Sequence, residues 1–77
     1  MIEIGLKVGD TFLMREMEFK VVIVDKKKNR IGAIKISDVL AIIGINDRFL
    51  IGDTSYIVTY VKDKSKYVSL IPICYGH

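Results

Sequence analysis

The chain aligns with itself. At an offset of 37 residues, Leu6–Ile36 and Ile43–Ile73 superpose without a gap. The identical pairs are Asp10/Asp47, Phe12/Phe49, Leu13/Leu50, Val21/Val58, Val24/Val61, Lys27/Lys64, Ile34/Ile71 and Ile36/Ile73. Val8/Ile45, Met14/Ile51, Phe19/Tyr56 and Ile31/Val68 keep their character. Within 77 residues, such a repeat makes each unit one supersecondary element. No Pro, Gly or Ser tract separates the units, so they are expected to share one core as a single domain over 1–77, with a connector at 37–44.

Isoleucine and valine dominate a chain that is 51% hydrophobic, and β-branched side chains suit a pleated surface better than a helix. The expected fold class is all-β with at most one short helix: two tandem three-stranded antiparallel meanders forming a small pseudo-twofold barrel or sandwich. In the first unit, Thr11–Met14, Glu18–Val24 and Arg30–Ile36 read as strands around a turn at Arg15-Glu16 and a polar turn at Asp25–Asn29. In the second, the strands are Arg48–Ile51, Ser55–Val61 and Tyr67–Ile73, with turns at Gly52-Asp53-Thr54 and Lys62–Lys66. Gly9-Asp10 and Asn46-Asp47 lead into the two units, where the Asp carboxylates accept backbone hydrogen bonds. Ser37 and Gly44 supply cap chemistry that favours a short helix between them over a strand, against the β-branched residues it would contain.

Strict alternation along the long strands puts Phe19, Val21 and Ile23 on the core face, with Tyr56, Val58 and Tyr60 as their counterparts. The opposite face then carries Val22, Val24, Ile57 and Val61. That face is too apolar to be merely wet, and it is the expected protein-interaction surface unless the Val39–Ile43 segment or barrel closure covers it.

Small size without staples narrows the function classes. Cys74 is the lone cysteine and His77 the lone histidine, so neither a disulfide nor a zinc site is expected, and no cofactor. An unpaired thiol suits a reducing cytoplasm. Glu3 stands where a signal peptide would be basic. The longest apolar run, Val39–Ile43, falls far short of the roughly 20 residues of a membrane-spanning helix, so no membrane contact is expected.

No catalytic constellation assembles. Cys74 and His77 point to opposite faces of an extended strand, and Asp10 and Asp47 lack the small-residue and glycine context of a shared-proton carboxylate pair. The six glycines are scattered and cradle no phosphate. The chain is therefore expected not to be an enzyme.

Charge is the remaining signal. The net charge of +3 sits mostly in the first unit, at Lys26, Lys27, Lys28 and Arg30, with a diluted counterpart at Lys64 and Lys66. These turns are candidate anion or nucleic-acid contacts, as a bipartite surface, unless they are solvated hairpin tips that guard a strand edge. Tyr60, Tyr67 and Tyr75 are the candidate stacking aromatics, and only Tyr67 directly adjoins a basic turn.

A Gly-Asp-led meander of this kind resembles the opening of SH3-like small barrels over the first unit; the resemblance implies a small barrel and no particular function. The expected function is a non-catalytic protein-binding module, a small regulator or inhibitor of the bacteriophage or bacterial accessory type, docking on a larger protein or on a second copy. The alternative is a small nucleic-acid-binding barrel that uses the lysine-rich turns. A binding site on a chain whose two units have diverged unequally is expected to be asymmetric.

Overall fold

A computed structural model describes residues 4–75, with only the backbone described for Cys74 and Tyr75. The side chains of Cys74 and Tyr75, and His77, on which the exclusion of a Cys74–His77 relay rested, thus lie outside the described residues. Six strands follow one another: β1 (Thr11–Met14), β2 (Met17–Asp25), β3 (Arg30–Lys35), β4 (Arg48–Ile51), β5 (Thr54–Lys62) and β6 (Tyr67–Tyr75). They form one antiparallel sheet in the order β1-β2-β3-β6-β5-β4, and its two edge strands approach each other so that the sheet nearly closes into a barrel. No described residue is helical. No helix is long and apolar enough to cross a membrane.

The connector corrects the helix expectation. Ser37 does not cap anything: its hydroxyl accepts a hydrogen bond from Glu18 N at 3.1 Å, while Ile36 N donates to Glu18 O at 2.9 Å. Ser37 thereby prolongs the β2–β3 pairing beyond Lys35. The segment that follows is an irregular stretch in which Leu40 and Ile42 face solvent, while Ala41 and Ile43 pack inward. That alternation is the period of an extended chain, as its β-branched residues favour.

The repeat recurs bond for bond. Gly9 N donates to Val21 O and Asn46 N to Val58 O; Val21 N donates to Asp10 O and Val58 N to Asp47 O. Gly9 and Asn46 both hold positive φ, at 98° and 77°, the left-handed geometry that glycine and asparagine adopt most readily. The units meet along β3 and β6, where Ile31 faces Leu70, Gly32 faces Ser69 and Ala33 faces Val68. Gly32 and Ser69 are themselves equivalents at the repeat offset, so the pseudo-twofold axis runs through that pair.

One further shared detail overturns the strict alternation. Register shifts occur between Val21 and Ile23 on β2 and between Val58 and Tyr60 on β5, again at equivalent places. Each is a bulge with one unpaired residue, Val22 or Thr59. Beyond it the faces exchange: Ile23 and Tyr60, expected in the core, are 53% and 48% exposed. Val24 and Val61, expected outside, pack against the core. Bulges bend and twist a strand, and these two sit where the sheet must curl toward closure.

The core is built from both units: Phe12, Met14, Met17, Phe19, Val21, Ile31 and Ala33 from the first, Tyr56, Val58, Val68 and Leu70 from the second, and Ile43 from the connector. Phe12 stacks on Phe19 with centroids 6.0 Å apart. Ile43 is held by Ser65, whose buried hydroxyl accepts from Ile43 N at 2.9 Å. Ser65 ends a run of three left-handed residues, Asp63, Lys64 and Ser65, at φ 56°, 54° and 72°. The left-handed conformation costs a non-glycine residue about 1–2 kcal/mol. The first unit's tip needs only one such residue, Asn29, because Asp25 Oδ1 accepts from Lys27 N and Lys28 N. Replacing Ser65 with Ala is expected to orphan the Ile43 amide and lower stability by about 1–3 kcal/mol, read from the urea midpoint.

Candidate functional site

The outer face of the four central strands can be read as rows from the pairing register. Lys20 pairs with Ile34, Ile34 with Tyr67 and Tyr67 with Lys62, giving a row Lys20–Ile34–Tyr67–Lys62 across the sheet. The next row is Ile23–Gly32–Ser69–Tyr60. Its middle residues, Gly32 and Ser69, are small and buried. An added Cβ at Gly32 would collide with the Tyr67 hydroxyl, whose ring lies across it. Tyr60 and Tyr67 meet edge to face, with centroids 6.4 Å apart and planes at 68°.

This pair forms a ridge between two open depressions. One, of about 480 Å³, has Gly32 and Ser69 on its floor and Ile23, Asp25 and Arg30 at its far side. The other, of about 390 Å³, is lined by Ile34, Lys62, Asp63 and Lys66 together with both tyrosines. The Thr59 hydroxyl donates to Ser69 O at 3.3 Å and ties the bulge to β6.

Of the expected interaction residues, Val22 and Ile57 are half-buried, and the bulges turn Val24 and Val61 toward the core. The outer apolar surface expected from alternation therefore breaks up. Exposure concentrates instead on Leu40 (88%) and Ile42 (87%) of the connector, and on the equivalent pairs Val8/Ile45 and Leu13/Leu50. The basic residues separate as well. Lys26, Lys27, Lys28 and Arg30 lie at the start of β3, whereas Lys64, Lys66 and Tyr67 lie by its end, where Lys35 N donates to Lys66 O at 2.7 Å. Six residues of strand, about 20 Å at 3.3 Å each, separate the two tips, so the lysines do not form one compact bipartite surface.

The two lead-in aspartates act as turn acceptors. Asp10 Oδ2 accepts from Lys7 N at 2.9 Å, and Asp47 Oδ2 from Gly44 N at 2.8 Å. Asp47 also bonds Arg15 at 3.1 Å, and the Arg15 guanidinium lies 5.6 Å from the centre of the Phe49 ring, bridging the first unit's hairpin tip to the opposite edge strand. The position equivalent to Arg15 is Gly52, so Asp10 has no such bridge. The Gly44 amide, then Arg15, hold the Asp47 carboxyl below its ordinary 3.8. A depressed folded-state pKa contributes stability that is present above the ordinary value and lost as pH falls through the folded one. Acid unfolding followed below pH 4 should accordingly become shallower in Asp47→Asn, which keeps a turn acceptor but does not titrate. Burial, opposed by the Gly5 backbone, pushes the Tyr56 phenol above 10.0, so its contribution is complete below pH 10 and declines above it.

No group of three or more His, Cys, Asp or Glu that could hold a metal ion occurs among the described residues. Fold and surface together define a small, nearly closed six-stranded β-barrel with an asymmetric aromatic ridge on its outer face. No protein-family model, curated protein or solved structure matches the chain.

Proposed function

We propose that this barrel is a non-catalytic protein-binding module, a small regulator or inhibitor that docks on a larger protein through its connector. The observation that supports this most directly is the state of residues 38–43. They make no backbone–backbone hydrogen bond to another described residue, yet they are pinned at both sides, by Ser37 to Glu18 and by Ile43 to Ser65. Between the pins, Leu40 and Ile42 stand almost fully in solvent while Ala41 and Ile43 anchor the segment to the core. An extended segment whose backbone is paired with no other described strand offers amide and carbonyl groups to an added strand, and alternate side chains to apolar pockets on the partner. Because it is already held in place, little ordering entropy remains to oppose binding.

The test is capture from lysate, with and without nuclease, by the wild-type chain and by a Leu40→Asp/Ile42→Asp variant. Wild type should retain a nuclease-resistant protein that the variant loses, and the two should unfold at urea midpoints within about 0.5 kcal/mol of each other, since the changed side chains are exposed. Light scattering separates a foreign partner from a second copy. Equal capture by both chains, or capture by neither, would sink the proposal.

A further inference from the structure

The two lobes around the pseudo-twofold axis have the same backbone but different surfaces. At equivalent positions the first lobe carries Ile23, Asp25, Asn29 and Arg30, and the second carries Tyr60, Lys62, Lys66 and Tyr67. Since the first lobe folds without them, the fold does not demand the tyrosines and lysines. All four face one surface: they line the same depression, and the tyrosines separate it from its neighbour. An aspartate and an asparagine become two cations, Lys26 becomes Asp63, and an isoleucine and an arginine become two aromatic rings, so at these positions the lobe differs in its exposed rings and in where its cations sit and not in its net charge.

We propose that this lobe binds single-stranded nucleic acid, with bases stacking on the Tyr60–Tyr67 ridge and backbone phosphates meeting Lys62 and Lys66. A base needs an accessible aromatic face beside a cation that reaches its phosphate, and both are present within one depression. Tyr60 is 48% exposed because the Thr59 bulge turns it outward, although a large aromatic ring gains most from burial in a core this small. Tyr67 is seated on Gly32, which leaves room for its ring and keeps the neighbouring floor open. Lys62 and Lys66 outnumber Asp63 in the depression, which suits an anionic backbone, and the exposed rings select one with unpaired bases, since a duplex keeps its bases stacked. Lysine suits phosphate as a mobile point charge and places no demand on base identity, so binding should depend little on sequence. No connector residue lines either depression, so this site stands apart from the docking segment.

The experiment is fluorescence anisotropy of a labelled oligothymidylate across a salt series, with a duplex of equal length and polyglutamate as competitors. Tyr60→Ala and Tyr67→Ala should each weaken binding about 5- to 150-fold, the range that loss of one stacked base produces. The corresponding Phe variants, which keep the ring, should bind within about twofold of wild type. Lys62→Glu should lower the slope of log K against log salt by about 0.7 or more. Gly32→Ala, which displaces the end of the Tyr67 side chain, should weaken binding while thermal unfolding stays close to wild type. Leu40→Asp/Ile42→Asp should bind the oligonucleotide normally, so failure here and failure of the connector proposal are distinguishable. The inference is overturned if no oligothymidylate binds at micromolar concentration and low salt. It is equally overturned if duplex competes as well as single strand and the Tyr→Ala changes are silent, which means charge alone, or if polyglutamate competes equally, which means an acidic protein segment.

Discussion

Replacing Phe19 with alanine is expected to remove about 3–5 kcal/mol of stability, the range for truncating a fully buried aromatic ring. Phe19 is completely buried in mid-strand on β2 and stacks on Phe12. Its neighbours are held by hydrogen bonds on both sides, since β2 pairs with β1 and β3, so the cavity cannot collapse by moving a loose element. A domain of this length holds in total about 4–12 kcal/mol. The loss is therefore a large share of the whole, and urea unfolding at 25 °C should place the midpoint far lower with the slope unchanged. Leu40→Ala, at an 88% exposed residue, is the matched control and should stay within about 0.5 kcal/mol of wild type. A small effect for Phe19→Ala would show that the first unit's core is loosely packed.

Cutting the chain between Leu40 and Ala41 is expected to abolish the fold of both halves. Each isolated unit would be a three-stranded meander with one bare sheet face, and its long central edge, β3 or β6, would lose the strand it pairs with. Core residues from one half are covered by residues from the other, so neither half keeps enough buried apolar area to offset the entropy of ordering its backbone. Far-UV circular dichroism of each fragment should be that of a disordered chain, and mixing them should restore the β spectrum through the β3–β6 pairing. Cooperative unfolding of either fragment alone as a monomer would contradict a shared core and make the units autonomous.

The strands were legible because their signals are local. Asp25–Asn29 and Lys62–Lys66 are polar tracts between β-branched runs, and Arg15-Glu16 and Gly52-Asp53 fall where two-residue loops belong; Arg15, Glu16 and Gly52 all take positive φ, as tight hairpins need. The faces of the long strands were half legible. Counting forward from Phe19 and Val21 puts Ile23 inside, whereas counting back from Asp25, which must be outside, puts Ile23 outside. The same conflict arises between Val58 and Lys62, and an extra residue in each strand resolves it. This mismatch was the available sign of a bulge. Without it Tyr60 counted as core, and the Tyr60–Tyr67 ridge could not be seen.

The connector was misread for a different reason. Ser37 has the chemistry of a cap, but whether its hydroxyl meets a helix amide or the amide of Glu18 depends on which chain lies opposite, and that chain is 19 positions away. Nor could the separation of the basic turns be read from their positions in the chain, because it follows from β3 and β6 running antiparallel.

The sequence by itself determined that the chain is β-rich, that it is one unit said twice, and that the two copies differ in where they carry lysine and tyrosine. Those properties reside in side-chain shape, turn chemistry and periodicity, all of which act within a few residues. Only the tertiary structure decided that β3 meets β6 about an axis through Gly32 and Ser69. From that pairing follows the opposite placement of the basic tips, and from the β5–β6 register with its bulge at Thr59 follows the gathering of Tyr60, Tyr67, Lys62 and Lys66 on one lobe. A contact between residues 37 positions apart leaves no periodic trace in either neighbourhood, so it appears only when the backbone hydrogen bonds of the two units are satisfied together.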